Sequence, residues 1–471
     1  MKKLLSMVLT LSLMLTLAAC LGGCKKEVKP LRILIDVAGS LDFDEGTIDS
    51  WYKSFKERLE KAGGPTDIEF EKIPLNGAER ASALTRIRTE VMAGQGPDVF
   101  ILCQVAEQDA SKDYLALDNS SLFLCPEKIM HNGLLMPLDK YLEKAQFMEW
   151  DKLTPAVMAA GYDEEYGQVI LPMTYTFPVT YYRAEDLPKA PEAYTWADMV
   201  QSDDPVLRDS AAGVFRGLYS LMINSVMLTD RRLADYKERK LIFSQEELLD
   251  RTQELEGLMR EQLDRWDEAV ESGTEGAAAQ YFQNWMEVHF ESINGRVGVA
   301  VEQGRWSKPY IEGMIWSEPA GPLTMGPAYS PEGGITAKVY GYTAINANTK
   351  RPDDAFFVVD FLLSYDEQKS SGLYMWMYET NAIPVHEDLM NEDNTVGSMT
   401  MTGGWSMSPE NYAEFSRLRD QITAVRFYDT LEIELETLCS RIQYSIENHE
   451  EIDLETLVEQ TYMRMRQEVS E

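Results

Sequence analysis

Residues 84–105 set the pattern for the amino-terminal part of the chain. Leu84, Ile87 and Val91 recur at helical spacing, while Arg86, Arg88, Thr89 and Glu90 lie off that face. Gly94 is placed to end the helix in a left-handed conformation, and Gly96-Pro97 forces a turn. Val99-Phe100-Ile101-Leu102 follows, apolar on both faces, as in a strand buried inside a parallel sheet. Upstream, Leu31–Ile35 predicts a first buried strand, 47–62 a helix and 66–75 a second strand. This strand-helix-strand-helix-strand order implies an α/β fold with parallel pairing and right-handed crossovers. Ligands of open α/β sheets sit beyond the carboxyl ends of the strands. Ser40 and Asp42 after the first strand, and Gln104 after the third, are therefore expected to border a cleft.

Further along, Thr195 is a suitable N-cap for a short helix, and Ser244 with Glu247 has capping-box spacing. Residues 200–295 read as mostly helical, with Leu255, Leu258, Met259, Trp266 and Val270 forming a core stripe. Val339–Ile345 predicts a strand. Pro352-Asp353-Asp354 opens a helix, because Pro suits a first turn and Asp suits its positive end. Leu454, Leu457, Val458, Thr461 and Met465 line one face of a last helix.

The chain has 471 residues, too many for one core and suited to two lobes. Its 78 acidic and 44 basic residues leave a net charge of -34, which argues against nucleic acid as a partner. Such uniform charge serves solubility, and no D-x-[DN]-x-[DN]-G calcium loop occurs. At the amino terminus Lys2-Lys3 precedes an apolar run, Leu4–Leu17, that is too short to span a bilayer. Leu17-Ala18-Ala19-Cys20 and Leu21-Gly22-Gly23-Cys24 each resemble a bacterial lipobox, with Cys20 preferred and Cys24 the alternative lipidation site. Residues 1–19 would then be the signal peptide and 20–30 a polar tether. Cys103 and Cys125 are the nearest remaining pair, and a disulfide is permitted outside the cytoplasm, although their spacing does not decide it. No CxxC occurs, which argues against redox chemistry and structural zinc.

Several segments, in order, resemble the extracellular solute-binding proteins of ABC importers, in the carbohydrate-binding class that includes maltose-binding protein. They begin with the A-G-x-x-P-D-V turn of Ala93–Val99, then Gly133–Tyr141, Tyr166–Met173, Thr180–Leu187 and Tyr194–Met199. Gly295–Trp306, Ala355–Gln368 and Asn381–Val385 continue the series. Arg183, where the family commonly has Asn, and the charged segment 231–280 depart from it. The resemblance implies a two-lobed periplasmic-binding-protein-like fold with a hinged inter-lobe cleft. Residues 31–176 and 343–383 would form the first lobe, and 177–342 and 384–471 the second. It further implies a lipid-anchored monomer on the extracellular face of the cytoplasmic membrane, held by its lipid alone. That monomer would deliver a carbohydrate to an ABC transporter permease, with no cofactor, metal or catalytic residue.

Sugar recognition needs flat aromatic faces and polar groups for hydroxyls. Trp306 follows the Gly304 turn where the family stacks a tryptophan on its ligand; the alternative is a core tryptophan. Thr174 and Tyr175 at the first lobe crossing, and Tyr342 at the second, either face the cleft or brace the strands. Trp405 follows Thr402-Gly403-Gly404 in a loop placed to close over a ligand. The rival readings are a secreted lipoprotein glycosidase and a sensor or adaptor lipoprotein on the same fold. No H-E-x-x-H, G-x-S-x-G or P-loop pattern occurs, and His131, His289, His386 and His449 are scattered.

Overall fold

The computed structural model describes residues 29–36, 45–74, 77–103, 121–177, 179–183, 195–204, 224–271, 323–327, 330–370, 373–374, 383–395 and 408–470. Its main elements begin with β1 (Leu31–Asp36), α1 (Glu45–Lys61), β2 (Ile68–Lys72), α2 (Gly77–Met92), β3 (Val99–Cys103), β4 (Ile170–Thr176) and β5 (Val179–Arg183). Then come α3 (Trp196–Val200), α4 (Asn224–Leu228), α5 (Gln245–Glu271), β6 (Leu323–Pro327), β7 (Ile335–Ile345), α6 (Pro352–Leu362) and α7 (Tyr365–Ser370). The chain ends with β8 (Ile383–Pro384), α8 (Pro409–Asp420), β9 (Ile422–Phe427), α9 (Thr430–Glu447) and α10 (Leu454–Ser470).

The amino-terminal pattern folds as its periodicity predicts. β1 pairs in parallel with β2 and with β3, Leu31 lying opposite Ile68 and Ile33 opposite Val99. Every residue of β3 is buried, and Leu84, Ile87 and Val91 of α2 pack into the same core. Gly94, at φ 72°, ends α2: its N–H donates to Val91 O at 2.9 Å, and the Gln95 N–H to Glu90 O at 2.8 Å. That double closure requires a left-handed residue, which glycine supplies without a Cβ clash. Asp98 then stitches the turn to its neighbours. Its carboxylate accepts the Arg32 N–H at 2.9 Å and the Thr349 hydroxyl at 2.6 Å. From the end of β7, Asn346 Nδ2 donates to Gln95 O at 2.8 Å and Pro97 O at 3.0 Å. The Gly-Pro-Asp turn thus aligns three strands by hydrogen bonds.

A long two-stranded ribbon, β4 with β7, carries the chain across the molecule. All 11 residues of β7 are buried. Its carboxyl half runs antiparallel to β3, from Gly341 opposite Cys103 to Ile345 opposite Val99. Its amino half runs parallel to β9, from Ile335 opposite Ile422 to Val339 opposite Phe427. β4 is antiparallel to both halves, giving the order β8-β4-β7-β3-β1-β2 with β9 joined to β7. β5 and β6 form a separate antiparallel pair.

Two hydrophobic clusters result. The larger surrounds the main sheet and takes in Val385, Met390, Phe415 and Leu418 from the carboxyl-terminal part. The second is helical, built from Trp196 and Met199 of α3, Leu255 and Met259 of α5, Leu438 and Ile442 of α9, and Met465 of α10. The expected stripe on α5 is therefore core at Leu255 and Met259, while the side chains of Trp266 and Val270 lie outside the described residues. On α10 the expected face is buried at Leu457, Val458, Thr461 and Met465. Thr195 and Asp198 form a reciprocal capping box, and the Ser244 hydroxyl accepts the Glu247 N–H at 3.0 Å. Cys103, Cys125 and Cys439 are buried free thiols, so the permitted Cys103–Cys125 bond is not formed. Among the described residues no helix is long and apolar enough to cross a membrane.

Candidate ligand cleft at the strand crossing

The carboxyl end of β3 meets the middle of β7, and the end of β1 lies beside it across β3. Asp36 ends β1 and is gripped by Arg80 from the first turns of α2, both terminal nitrogens donating at 2.9 Å. Arg80 also donates to Pro74 O at 3.1 Å, so the pair is buried and its geometry is fixed from two sides. Cys103 ends β3. Burial pushes its thiol up to about 12, with the Asp36 charge adding to the effect, so it stays protonated and is no nucleophile near neutrality.

Tyr342 lies opposite Leu102, its ring edge-on to Phe427 with centroids 5.4 Å apart. Its hydroxyl is fully enclosed and has no hydrogen-bond partner among the described residues. Burial raises this phenol well above its usual range, and Asp36, Asp429, Cys125 and Cys103 push the same way. The crossing therefore holds a donor that stays protonated near neutrality and has no acceptor among the described residues, a costly arrangement for a buried polar group. Asp429 caps α9, accepting the Leu431 N–H at 2.9 Å and the Glu432 N–H at 3.1 Å.

Across the ribbon the ladder is irregular. The register of β7 on β4 shifts on both sides of Gly341, whose N–H donates to the Thr174 hydroxyl at 3.0 Å. Tyr175 is buried, its hydroxyl pushed by burial to about 12, and its ring is stacked 6.4 Å from Phe177. On the other side of the crossing Tyr340 stacks on Tyr428 at 5.5 Å.

Of the residues expected at the cleft, the structure brings together Thr174, Tyr175 and Tyr342, all enclosed within the crossing sheet. Ser40, Asp42, Gln104, Trp306 and Trp405 lie outside the described residues, as do Cys20 and Cys24. Sequence reasoning missed Asp36, Arg80, Tyr340 and Tyr428. Asp36 could have been found as the acid ending the Leu31–Asp36 run, and Tyr340 as the companion of Tyr342 around Gly341. Nothing in the sequence joins Arg80 to Asp36, 44 positions away. Among the described residues no three His, Cys, Asp or Glu side chains are placed to hold a metal ion.

A second polar group lies beneath the crossing. Lys338 Nζ meets Glu432 at 2.9 Å and Glu436 at 3.2 Å, and donates to the Ser225 hydroxyl at 2.7 Å. Arg426 meets the other oxygen of Glu432 at 2.8 Å, and Tyr428 OH donates to Glu436 at 2.8 Å. These two carboxyls are wholly enclosed and occupied by protein groups, so they offer no face to a substrate.

In fold the chain is similar to solved two-lobed solute-binding proteins. The chain is similar to an extracellular solute-binding protein family 1 from Alicyclobacillus acidocaldarius subsp. acidocaldarius DSM 446, with a TM-score of 0.53 and 15% identity, covering 94% of this chain and 98% of that one. It is likewise similar to a periplasmic oligogalacturonide binding protein from Yersinia enterocolitica, at 0.52 and 12%, covering 93% and 98%. A periplasmic solute binding protein from Pectobacterium atrosepticum SCRI1043 gives 0.50 and 15%, covering 93% and 98%. No protein-family model matches the chain, and no curated protein matches it in sequence. At these identities the likeness is one of fold: α/β, in two lobes, over nearly the whole of both chains.

Proposed function

We propose that the chain is a substrate-binding protein that delivers a sugar or oligosaccharide to an ABC transporter permease and performs no catalysis. The observation that carries this reading is the shared ribbon: β7 pairs with β3 along one half and with β9 along the other. Two bodies joined by continuous strands can rotate about them, and ligand closes such a pair only by binding the closed form better than the open one. In this reading the first lobe comprises residues 31–176 and 343–383, and the second 177–342 and 384–471. Trp306 stacks on the sugar, and Ser40, Asp42, Gln104 and Trp405 face it; these assignments rest on the sequence. Thr174, Tyr175 and Tyr342 hold the crossing. Cys20, or alternatively Cys24, carries the lipid that anchors the protein outside the cytoplasmic membrane.

A thermal-shift screen against neutral and acidic glycans tests the reading. A ligand at 100 times its dissociation constant stabilises the folded chain by about 2.7 kcal/mol, and no cleaved product accumulates. Turnover proportional to protein concentration would return the glycosidase reading, and the absence of any shift across the library would remove substrate binding. Mass analysis of the membrane-extracted protein should find a lipid-modified amino-terminal cysteine; an unmodified mature chain would refute the anchor.

A further inference from the structure

Arg419 closes the last turn of α8 with its side chain only 12% exposed. Its guanidinium lies over the Phe415 ring, 5.8 Å from the centroid. Phe415 stacks on Phe177 at 5.5 Å, and Phe177 on Tyr175, so the arginine stands beside the strand crossing. Its charge reaches the Tyr175 hydroxyl. Yet no hydrogen-bond acceptor among the described residues serves this guanidinium. Its Nε is buried without a partner, and the nearest carboxylate, Asp420, is 3.8 Å away and 74% exposed. One turn earlier on the same helix, the Ser416 hydroxyl is also buried and without a partner.

A guanidinium presents five N–H donors in a planar fork, and withdrawing them from water without acceptors is unfavourable. Two other buried arginines among the described residues have hydrogen-bond acceptors: Arg80 holds Asp36 with two bonds, and Arg426 holds Glu432 and a main-chain carbonyl. Arg419 differs in being fixed by an aromatic face while its donors remain open. The group that matches such a fork is a carboxylate, which accepts two parallel N–H bonds.

We infer that Arg419, with Ser416 beside it, recognises a carboxylate on the ligand, so that the substrate is an acidic, uronate-bearing oligosaccharide. The inference rests on the substrate-binding reading above and narrows it.

Titration calorimetry with trigalacturonate, its uncharged methyl ester and maltotriose tests it on the wild type, Arg419→Gln and Arg419→Lys. The wild type should prefer trigalacturonate, with affinity that falls as salt rises. Arg419→Gln should lose roughly tenfold or more for that ligand and none for the neutral sugars. Arg419→Lys, which keeps the charge but not the fork, should fall between. Because the guanidinium has no hydrogen-bond acceptor among the described residues and only the Phe415 ring contact is lost, ligand-free Arg419→Gln should melt close to the wild type. A melting temperature lowered by Arg419→Gln, with unaltered trigalacturonate affinity, would make Arg419 structural and overturn the inference. A wild type that binds maltotriose or the ester as tightly as the acid would overturn it while leaving substrate binding intact. Failure of all three sugars to bind also overturns it, and the broader glycan screen then decides the parent reading separately.

Discussion

Replacing Glu432 by Gln should destabilise the protein strongly. The substitution keeps the shape of the side chain and removes its charge. Glu432 is fully buried and lies between two cations, Lys338 at 2.9 Å and Arg426 at 2.8 Å, with the Ser225 hydroxyl also bonded to it. Burial alone would push this carboxyl up, but Lys338 and Arg426 together outweigh that and hold it near about 2. Glu432 is therefore ionised at neutral pH. Its neighbour Glu436 is pushed up to about 8, chiefly by burial and in part by the Glu432 charge, against the pull of Lys338, so it replaces that charge only in part when Glu432 is neutralised. Glu432→Gln thus leaves Lys338 and Arg426 enclosed without the carboxylate that both of them face. Removing one member of a buried pair costs about 3–5 kcal/mol, since the remaining charge stays desolvated. Set against a total stability of about 5–15 kcal/mol, that is a large fraction. Equilibrium urea unfolding of the ligand-free protein at pH 7, followed by circular dichroism, measures it. Adding Lys338→Met should recover part of the loss, because the second change removes a charge that the first left unpaired. A loss below about 1 kcal/mol, or strict additivity of the two changes, would refute the argument that these charges are buried and coupled.

Three further outcomes follow from particular residues. Glu436 has a folded value raised from 4.5 to about 8, so its contribution to stability is complete below the lower value and is lost as pH rises through the upper one. Unfolding free energy should decline across that window in the wild type and less steeply in Glu436→Gln; equal slopes would be inconsistent with an uncharged Glu436. Gly94→Ala places a side chain at φ 72° while its Cβ meets nothing closer than 3.5 Å. The expected cost is therefore backbone strain of about 1–2 kcal/mol, and no loss in urea unfolding would contradict the left-handed closure of α2. Trp306→Ala should weaken sugar binding by about 2 kcal/mol or more, with the ligand-free melting curve little changed. A stability loss of about 3–5 kcal/mol with affinity retained would instead assign Trp306 to the core.

Local pattern alone was enough for the amino-terminal α/β unit. The helical face of Leu84, Ile87 and Val91, the left-handed Gly94 and the apolar run at 99–102 each appear where periodicity places them. These features were legible because period and turn chemistry act over a few residues, within reach of sequence reading. The apolar face of α10 and the capping box at Thr195 were legible for the same reason. The crossing was legible only in part. Tyr342, Thr174 and Tyr175 were marked by their places on strands, but whether such tyrosines brace or bind depends on what surrounds them. Tertiary structure decided that they are enclosed, and that β7 is shared between β3 and β9. It also decided the fate of the charges. In sequence, Lys338, Arg426, Glu432 and Glu436 resemble residues of solvated faces, and Arg419 resembles an ordinary basic residue at a helix end. Their enclosure comes from segments up to 207 positions apart, as between Ser225 and Glu432. Burial depends on which surfaces meet, and electrostatic cost depends on burial. Neither quantity belongs to a residue or its sequence neighbours, so the ionic cluster and the open guanidinium of Arg419 emerge only when the chain is folded.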